Sequence, residues 1–288
     1  MHKAPTGSIH DFVKRIIEKN LRNSVFVDVT ANAEVAGVYD SLLEKSVSVV
    51  ACNKIACSSS YASYQHLKSL AREFNAMFLF ETNVGAGLPV IGTLNDLLRS
   101  GDKVNRIQAV LSGTLNFVFN NYDGTKPFAQ VVRQAQTEGY TEPDPRLDLG
   151  GTDVMRKIMI LAREAGQQLE MEDISNQYFL PLSCFEGSVA DFYTEMEKQE
   201  AHFKAIYEAA VAENCKLKFV ASYENGKASV GLRHIPADSD FYHLYGKDNL
   251  VLFYTDRYPE QPLVIKGAGA GADVTASGVF ADIIRVAR

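Results

Sequence analysis

Between residues 24 and 80, three short apolar runs (SVFVDV, VSVVAC and MFLF) alternate with two segments of helical periodicity. Runs that are apolar on both faces are the mark of a parallel sheet covered on either side. Parallel strands cannot be joined by a tight hairpin; each pair needs a crossover, usually a helix. Residues 34–45 and 61–75 supply two such crossovers, and Leu67, Leu70, Ala71 and Phe74 line one face of the second. The pattern therefore predicts βαβ units, the second half of a doubly wound nucleotide-binding domain. Ligands in such sheets bind beyond the carboxyl ends of the strands, where Thr30, Lys54 and Glu81 fall. By position alone, Lys54 could equally be an ordinary surface lysine. Upstream, residues 1–7 read as a ragged start and residues 10–22 as a helix.

The remainder is patterned differently. VGAGLP, residues 84–89, precedes a helix over 89–99; such a glycine loop serves either as an anion cradle or as a crossover between domains. Residues 106–111 read as a strand, and SGTLNF opens a helix capped by Ser112 or Thr114. A helix over 195–214 is followed by strands at 217–223, 228–234, 250–255 and 263–266. Asn225-Gly226 joins the first two as a hairpin, so this sheet is expected to be mostly antiparallel, with helices on one face. Gly267, Gly269 and Gly271 superficially suggest a dinucleotide fingerprint, but only 17 residues follow Gly271, too few for the βαβ unit it must open. They read instead as the return of the chain, through a helix over 274–286, to the first domain. The expected fold class is α/β: a partial Rossmann-like nucleotide-binding domain (1–83 and 267–288) and an α+β substrate-binding and dimerisation domain (84–266).

Chemistry concentrates in residues 139–157, GYTEPDPRLDLGGTDVMRK. Pro143 and Pro145 push Glu142 and Asp144 out of the helical region, which makes the stretch before Gly150 an extended or turning loop. Gly150-Gly151 permits a sharp turn, with Thr152 or Asp153 capping a helix from Val154 to about Ala165. Asp153 and Lys157, four apart, share one helix face. Such a pair is ordinarily a solvated ion pair. Here the surrounding Val154, Met155, Ile158, Met159, Ile160, Leu161 and Ala162 leave only a narrow polar stripe, as in a cleft wall.

An apolar fraction of 46% and a charged fraction of 22% are those of a globular chain, and a formal charge of −6 argues against a nucleic-acid surface. No apolar run reaches the roughly 20 residues of a membrane span, and no secretory h-region opens the chain. Four cysteines without metal or disulfide spacing fit a reduced, cytoplasmic protein, and six scattered histidines suggest no histidine metal site.

TEPDPRLDL followed by GGTDVMRK closely resembles the signature of homoserine dehydrogenases. DVTAN at 28–32, NK at 53–54, VGAGLP at 84–89, SGTLNF at 112–117 and GAGAGADVTASGVFADI at 267–283 match in the same order. The wording is most similar to the dehydrogenase portion of bifunctional aspartokinase–homoserine dehydrogenases, so the resemblance implies an aspartokinase domain on the parent chain. It implies reversible oxidation of L-homoserine to L-aspartate 4-semialdehyde with NADP or NAD, in threonine and methionine biosynthesis. Lys157 would be the general acid/base with Lys54 close by; Glu142, Asp153 and Asp148 would form the substrate pocket. Thr30, Lys54, Ser112, Gly139, Glu142 and Gly271 would contact the cofactor. A structural monovalent cation, sodium, would sit at Glu81, Val84, Ala86 and Leu88. The family also implies a homodimer or higher homo-oligomer through the antiparallel sheet. Leu147 departs from the acid often found after the Arg of DPR.

No strand with G-x-G-x-x-G precedes Asp28 in this sequence, and the chain is further expected to lack the family's regulatory extension after Arg288. The first βαβ half, which would hold the pyrophosphate, is thus expected to be missing. The alternative expectation is a truncated, non-catalytic dimerising module that binds the cofactor poorly.

Overall fold

The computed structural model describes residues 7–287, so that the expected ragged start falls, but for Gly7, outside the described residues. The chain forms two compact units, residues 1–91 with 271–288 and residues 92–270.

The first unit opens with Ile9–Lys19 (α1), capped by Ser8, and continues through Val25–Asp28 (β1), Ala33–Ala36 (α2), Tyr39–Leu43 (α3), Ser48–Ala51 (β2), Tyr61–Glu73 (α4) and Phe78–Leu79 (β3). The strands form a parallel sheet in the order β1-β2-β3, with Val25 beside Ser48 and Val49 beside Phe78. β2 is buried along its whole length, as its unbroken apolar run requires. The helix expected over 34–45 is instead two short ones, because the chain breaks at Gly37, which caps α2. Tyr39, Leu42 and Leu43 of α3 and Tyr64 and Leu70 of α4 are buried in this unit's core.

Val90–Arg99 (α5) bridges the boundary in sequence. The second unit follows with Val104–Val110 (β4), Gly113–Asn121 (α6), Phe128–Thr137 (α7), Arg146–Leu149 (α8), Thr152–Glu164 (α9), Ile174–Gln177 (β5), Val189–Lys198 (α10) and Glu200–Ala212 (α11). Lys216–Glu224 (β6), Lys227–Ile235 (β7), Asp248–Thr255 (β8) and Leu263–Ala268 (β9) complete its sheet, and Ala272–Val286 (α12) returns to the first unit. The strand order is β5-β7-β6-β4-β8-β9, antiparallel except where β5 runs parallel to β7. Asn225 and Gly226 both have positive φ, 51° and 76°, as a two-residue hairpin turn of this hand demands.

Further features differ from the sequence reading. The helix expected over 195–214 is divided at Gln199 into α10 and α11. α7 buries Phe128, Val131, Val132 and Ala135. β5 (ISNQ) has only Ile174 buried and so carries no apolar run to read. The stretch before Gly150, expected as an extended or turning loop, ends in a helical turn, because Pro145 starts α8. α6, α9 and α11 pack on β6. Val110, Val220, Ile235, Phe241, Leu244, Leu250 and Leu252 form a separate apolar cluster with the segment after β7.

Candidate active site

The N-terminus of α6 is where the acidic stretch and the lysine of α9 converge. β4 ends at Val110, and Ser112 then caps α6 by accepting the Leu115 N–H at 3.2 Å, one of the two caps the sequence allows. The carbonyl of Leu111, exposed by that turn, accepts from Lys157 Nζ at 2.7 Å. Lys157 is only 9% exposed, and its second partner is the Asp153 carboxylate at 2.8 Å. The i,i+4 spacing thus produces a pair with one buried member, unlike a solvated helix face.

The start of α9 differs from expectation. Gly151, at φ +76°, is the cap residue, and Thr152 and Asp153 already lie in the first turn. A side chain at Gly151 would meet the Phe219 ring at 2.8 Å, so both conformation and space require glycine there. Starting the helix two residues early puts the Asp153 carboxylate where the helix dipole favours an anion.

The acidic loop is fastened by its own charges. Arg146 grips Asp144 with Nε at 2.8 Å and Nη2 at 2.7 Å, and Nη1 reaches the Gly187 carbonyl at 2.8 Å. Hydrogen bonds from Arg146 hold the Asp144 carboxyl below the usual range despite partial burial. Asp148 accepts the Glu142 N–H at 2.9 Å and the Thr114 hydroxyl at 3.1 Å, tying the loop to α6. Burial pushes its carboxyl above the usual range, the charges of Glu142 and Asp153 push the same way, and the two hydrogen bonds oppose them. The Glu142 residue is exposed. Gly139, at φ +76°, ends α7: its N–H donates to Gln136 O at 3.1 Å. Lys157, Asp153, Asp148, Glu142 and Ser112 are therefore brought together around the start of α6.

Thr30, Lys54 and Gly271 belong to the first unit. Asp28, buried at the end of β1, accepts the Thr30 N–H at 2.7 Å, the Tyr39 hydroxyl at 2.6 Å and the Asn53 amide at 3.0 Å. Asn53 also donates to Asn32 O at 2.9 Å and accepts the Ile55 N–H at 3.0 Å. One aspartate thereby pins the turns after β1 and β2, which carry Thr30 and Lys54, side by side. Burial and the adjacent Asp28 carboxylate push the Tyr39 phenol well above its usual range. Gly271, at φ +129°, opens α12, and its carbonyl accepts from the Thr275 hydroxyl at 2.8 Å.

In the 81–88 segment Gly85 and Ala86 have φ of +77° and +52°, and Val84 and Ala86 are buried. The Glu81 side chain is occupied by the Ile91 N–H at 2.7 Å and Arg285 at 3.0 Å, so only its backbone carbonyl could serve a cation. Asn83 Oδ1 is buried without a hydrogen-bond donor. Such an oxygen-rich, left-handed turn fits a hard monovalent ion. Among the described residues no cluster of three His, Cys, Asp or Glu side chains is suited to a metal.

The sequence reading gave no site role to Thr114, Asp28, Asn53 or the Leu111 carbonyl. Asp28 had a signal, a lone carboxylate in an apolar strand; a backbone carbonyl at a strand end has none.

The geometry can be set beside known proteins. Residues 89–284 match the homoserine dehydrogenase family, and residues 2–81 match the homoserine dehydrogenase NAD-binding domain. A chloroplastic bifunctional aspartokinase/homoserine dehydrogenase 2 of Zea mays is 42% identical over 99% of this chain, which spans 32% of the relative's length. A homoserine dehydrogenase of Paracoccidioides brasiliensis is 40% identical over 96% of this chain and 77% of its own length. The structure of a hyperthermophilic archaeal homoserine dehydrogenase in complex with NADPH superposes with a TM-score of 0.75 at 27% identity, covering 99% of this chain and 76% of that one. With a family match over most of its length, this chain belongs to the homoserine dehydrogenases.

Proposed function

We propose that this chain carries the reversible oxidation of L-homoserine to L-aspartate 4-semialdehyde with NADP or NAD. The observation that carries the reading is Lys157, held at the mouth of an acidic loop with two of its N–H groups engaged. The Asp153 carboxylate and the Leu111 carbonyl take those two. The third has no acceptor among the described residues and is available to a substrate oxygen. In the direction of reduction, Lys157 gives that proton to the aldehyde oxygen; in oxidation it takes the hydroxyl proton back. The nicotinamide cofactor supplies the hydride chemistry when bound. Asp153 and Glu142 hold the substrate ammonium, and Asp148 fixes the loop that carries Glu142. Thr30, Lys54, Ser112, Gly139, Glu142 and Gly271 are assigned to the cofactor, and Lys54 to the catalytic residues as well. Strand-end turns pinned by Asp28 suit that role, because ligands of parallel sheets bind there. The match of residues 2–81 to an NAD-binding domain weighs against the non-catalytic alternative. Following NADPH formation with L-homoserine and NADP tests the reading; NADPH fluorescence titration without saturation, together with no turnover, would overturn it.

The backbone carbonyls of Glu81, Val84, Ala86 and Leu88 are assigned to a structural sodium ion, which sodium-dependent melting would reveal. Gln108, Ser222, Tyr254 and Val264 line a polar hollow of about 710 Å³ on the sheet. We assign the sheet to a two-fold homodimer contact, the commonest closed assembly; sedimentation showing only monomer at micromolar concentration would refute it. An aspartokinase domain on the parent chain and a cytoplasmic location belong to the same proposal. Among the described residues, no helix is long and apolar enough to cross a membrane.

A further inference from the structure

Lys218 lies on β6, 1% exposed, and does not belong to the acidic site. Its ammonium has three acceptors: Asn116 Oδ1 at 2.9 Å, Asn120 Oδ1 at 2.6 Å and the Leu244 carbonyl at 2.5 Å. The two asparagines stand one turn apart on α6, and both return a bond to the segment after β7. Asn116 donates to Gly246 O at 2.9 Å and Asn120 to Leu244 O at 3.2 Å. The circuit is closed, and every acceptor in it is neutral.

A fully buried cation without a counter-ion is costly wherever it stands, so its location needs a reason. β4 pairs with β6 only as far as Ala109 opposite Ala221, and the chain then leaves the sheet as α6. Lys218 sits three residues further along β6, where α6 has replaced the neighbouring strand. Its bonds therefore hold by side chains a helix that no sheet hydrogen bond holds. The same helix begins at the turn that presents the Leu111 carbonyl to Lys157, and its Thr114 hydroxyl reaches Asp148. The segment after Gly246 closes on the same turn, since a Cβ at Gly113 would lie 3.3 Å from Lys247 Cβ.

We propose that Lys218 is a positioning residue of the active site, acting through α6 to set the Leu111 carbonyl that orients Lys157. The inference rests on the reading of Lys157 as the acid/base. It makes the alignment of Lys157 dependent on the charge of a lysine that never meets substrate. Burial, and secondarily the Lys216 ammonium two residues back, pull the Lys218 ammonium down to about 8. Among the described residues no carboxylate bonds to the ammonium. α6 has no ionisable side chain, Lys216 turns to the Tyr242 carbonyl and the Tyr245 hydroxyl, and Arg233, opposite on β7, turns to Gln177. The segment after β7 carries Asp238, Asp240, Tyr242, His243, Tyr245 and Lys247 as its titratable side chains, and the ammonium bonds to none of those side chains. Loss of one proton removes one of the three bonds, two of which go to α6 and one to the segment after β7.

The test compares wild type, Lys218→Met and Lys218→Arg by steady-state kinetics over pH 6.5–9.5, with melting and amide hydrogen exchange of α6 measured alongside. Lys218→Met is expected to lower kcat by roughly 10–100-fold, the scale of a displaced catalytic group, with a much smaller change in the KM for homoserine. Lys218→Arg, which does not titrate in this range, is expected to restore most of the activity and to lack an alkaline limb near pH 8 that wild type shows. A lowered melting temperature with unchanged kcat in Lys218→Met would overturn the proposal and leave the residue purely structural. If Lys218→Met does not fold, an alkaline limb that persists unchanged in Lys218→Arg overturns it equally. If wild type has no turnover, the dehydrogenase reading has failed. The positioning of α6 is then judged by exchange alone: faster exchange above pH 8 in wild type but not in Lys218→Arg supports it, and identical profiles refute it.

Discussion

Two buried lysines of the second unit, Lys157 and Lys218, have been placed under opposite rules. Lys157, 9% exposed, keeps a carboxylate partner and leaves one N–H without an acceptor among the described residues. Lys218, 1% exposed, has three neutral acceptors and no proton to spare. A lysine that must exchange a proton needs a vacancy, and a counter-ion offsets the cost of its burial. A lysine that only fastens elements together needs saturation, and burial without a counter-ion is expressed as the pull on its proton affinity. Burial alone therefore does not separate the lysine proposed as acid/base from the other; the count of unmet donors does.

The largest effect that can break this comparison is at Lys157. Lys157→Ala is expected to lower kcat by about 10²–10⁴-fold, the usual worth of general acid–base catalysis, with little change in the KM for homoserine. Near-normal kcat in a steady-state assay would remove Lys157 from the mechanism and erase the contrast with Lys218.

Next is its counter-ion. Asp153→Ala should weaken homoserine binding by roughly 10–100-fold, the equivalent of one charge-assisted hydrogen bond. Unchanged affinity, measured by product inhibition or direct titration, would return Asp153 to the role of an ordinary helix-surface carboxylate.

The smallest effect sharpens the acidic side. The folded state holds the Asp148 proton more tightly than the unfolded chain, so this group's contribution to stability declines as pH rises from the ordinary carboxyl value through the raised one. Asp148→Asn, which cannot ionise, should gain in melting temperature relative to wild type across that window, by less than about 4 °C for a chain of this length. A difference that is flat from pH 3 to 7 would show that the fold does not raise the Asp148 carboxyl.

Much of this was legible in the chain. The apolar runs of β1 and β2, the Asn225-Gly226 hairpin and the Ser112 cap each depend on a few neighbouring residues, so local pattern suffices to read them. The grouping of Glu142, Asp148, Asp153 and Lys157 within one stretch was equally visible, because the helix period and two prolines act at short range. β5 escaped because its place is set by β7, more than fifty residues later, and its own side chains are mostly polar. The Leu111 carbonyl, the Asp28 clamp and the Lys218 circuit were decided only in three dimensions. They join positions 46, 25 and 102 residues apart, and a backbone oxygen or a buried asparagine looks the same in sequence whether or not a cation lies against it. Sequence by itself determined the elements whose pattern is local, such as β1, β2 and the Asn225-Gly226 hairpin, and where charge is dense. Tertiary structure decided which donors are met and which is left open, because that depends on strands and helices brought together across long separations, beyond the reach of any local period.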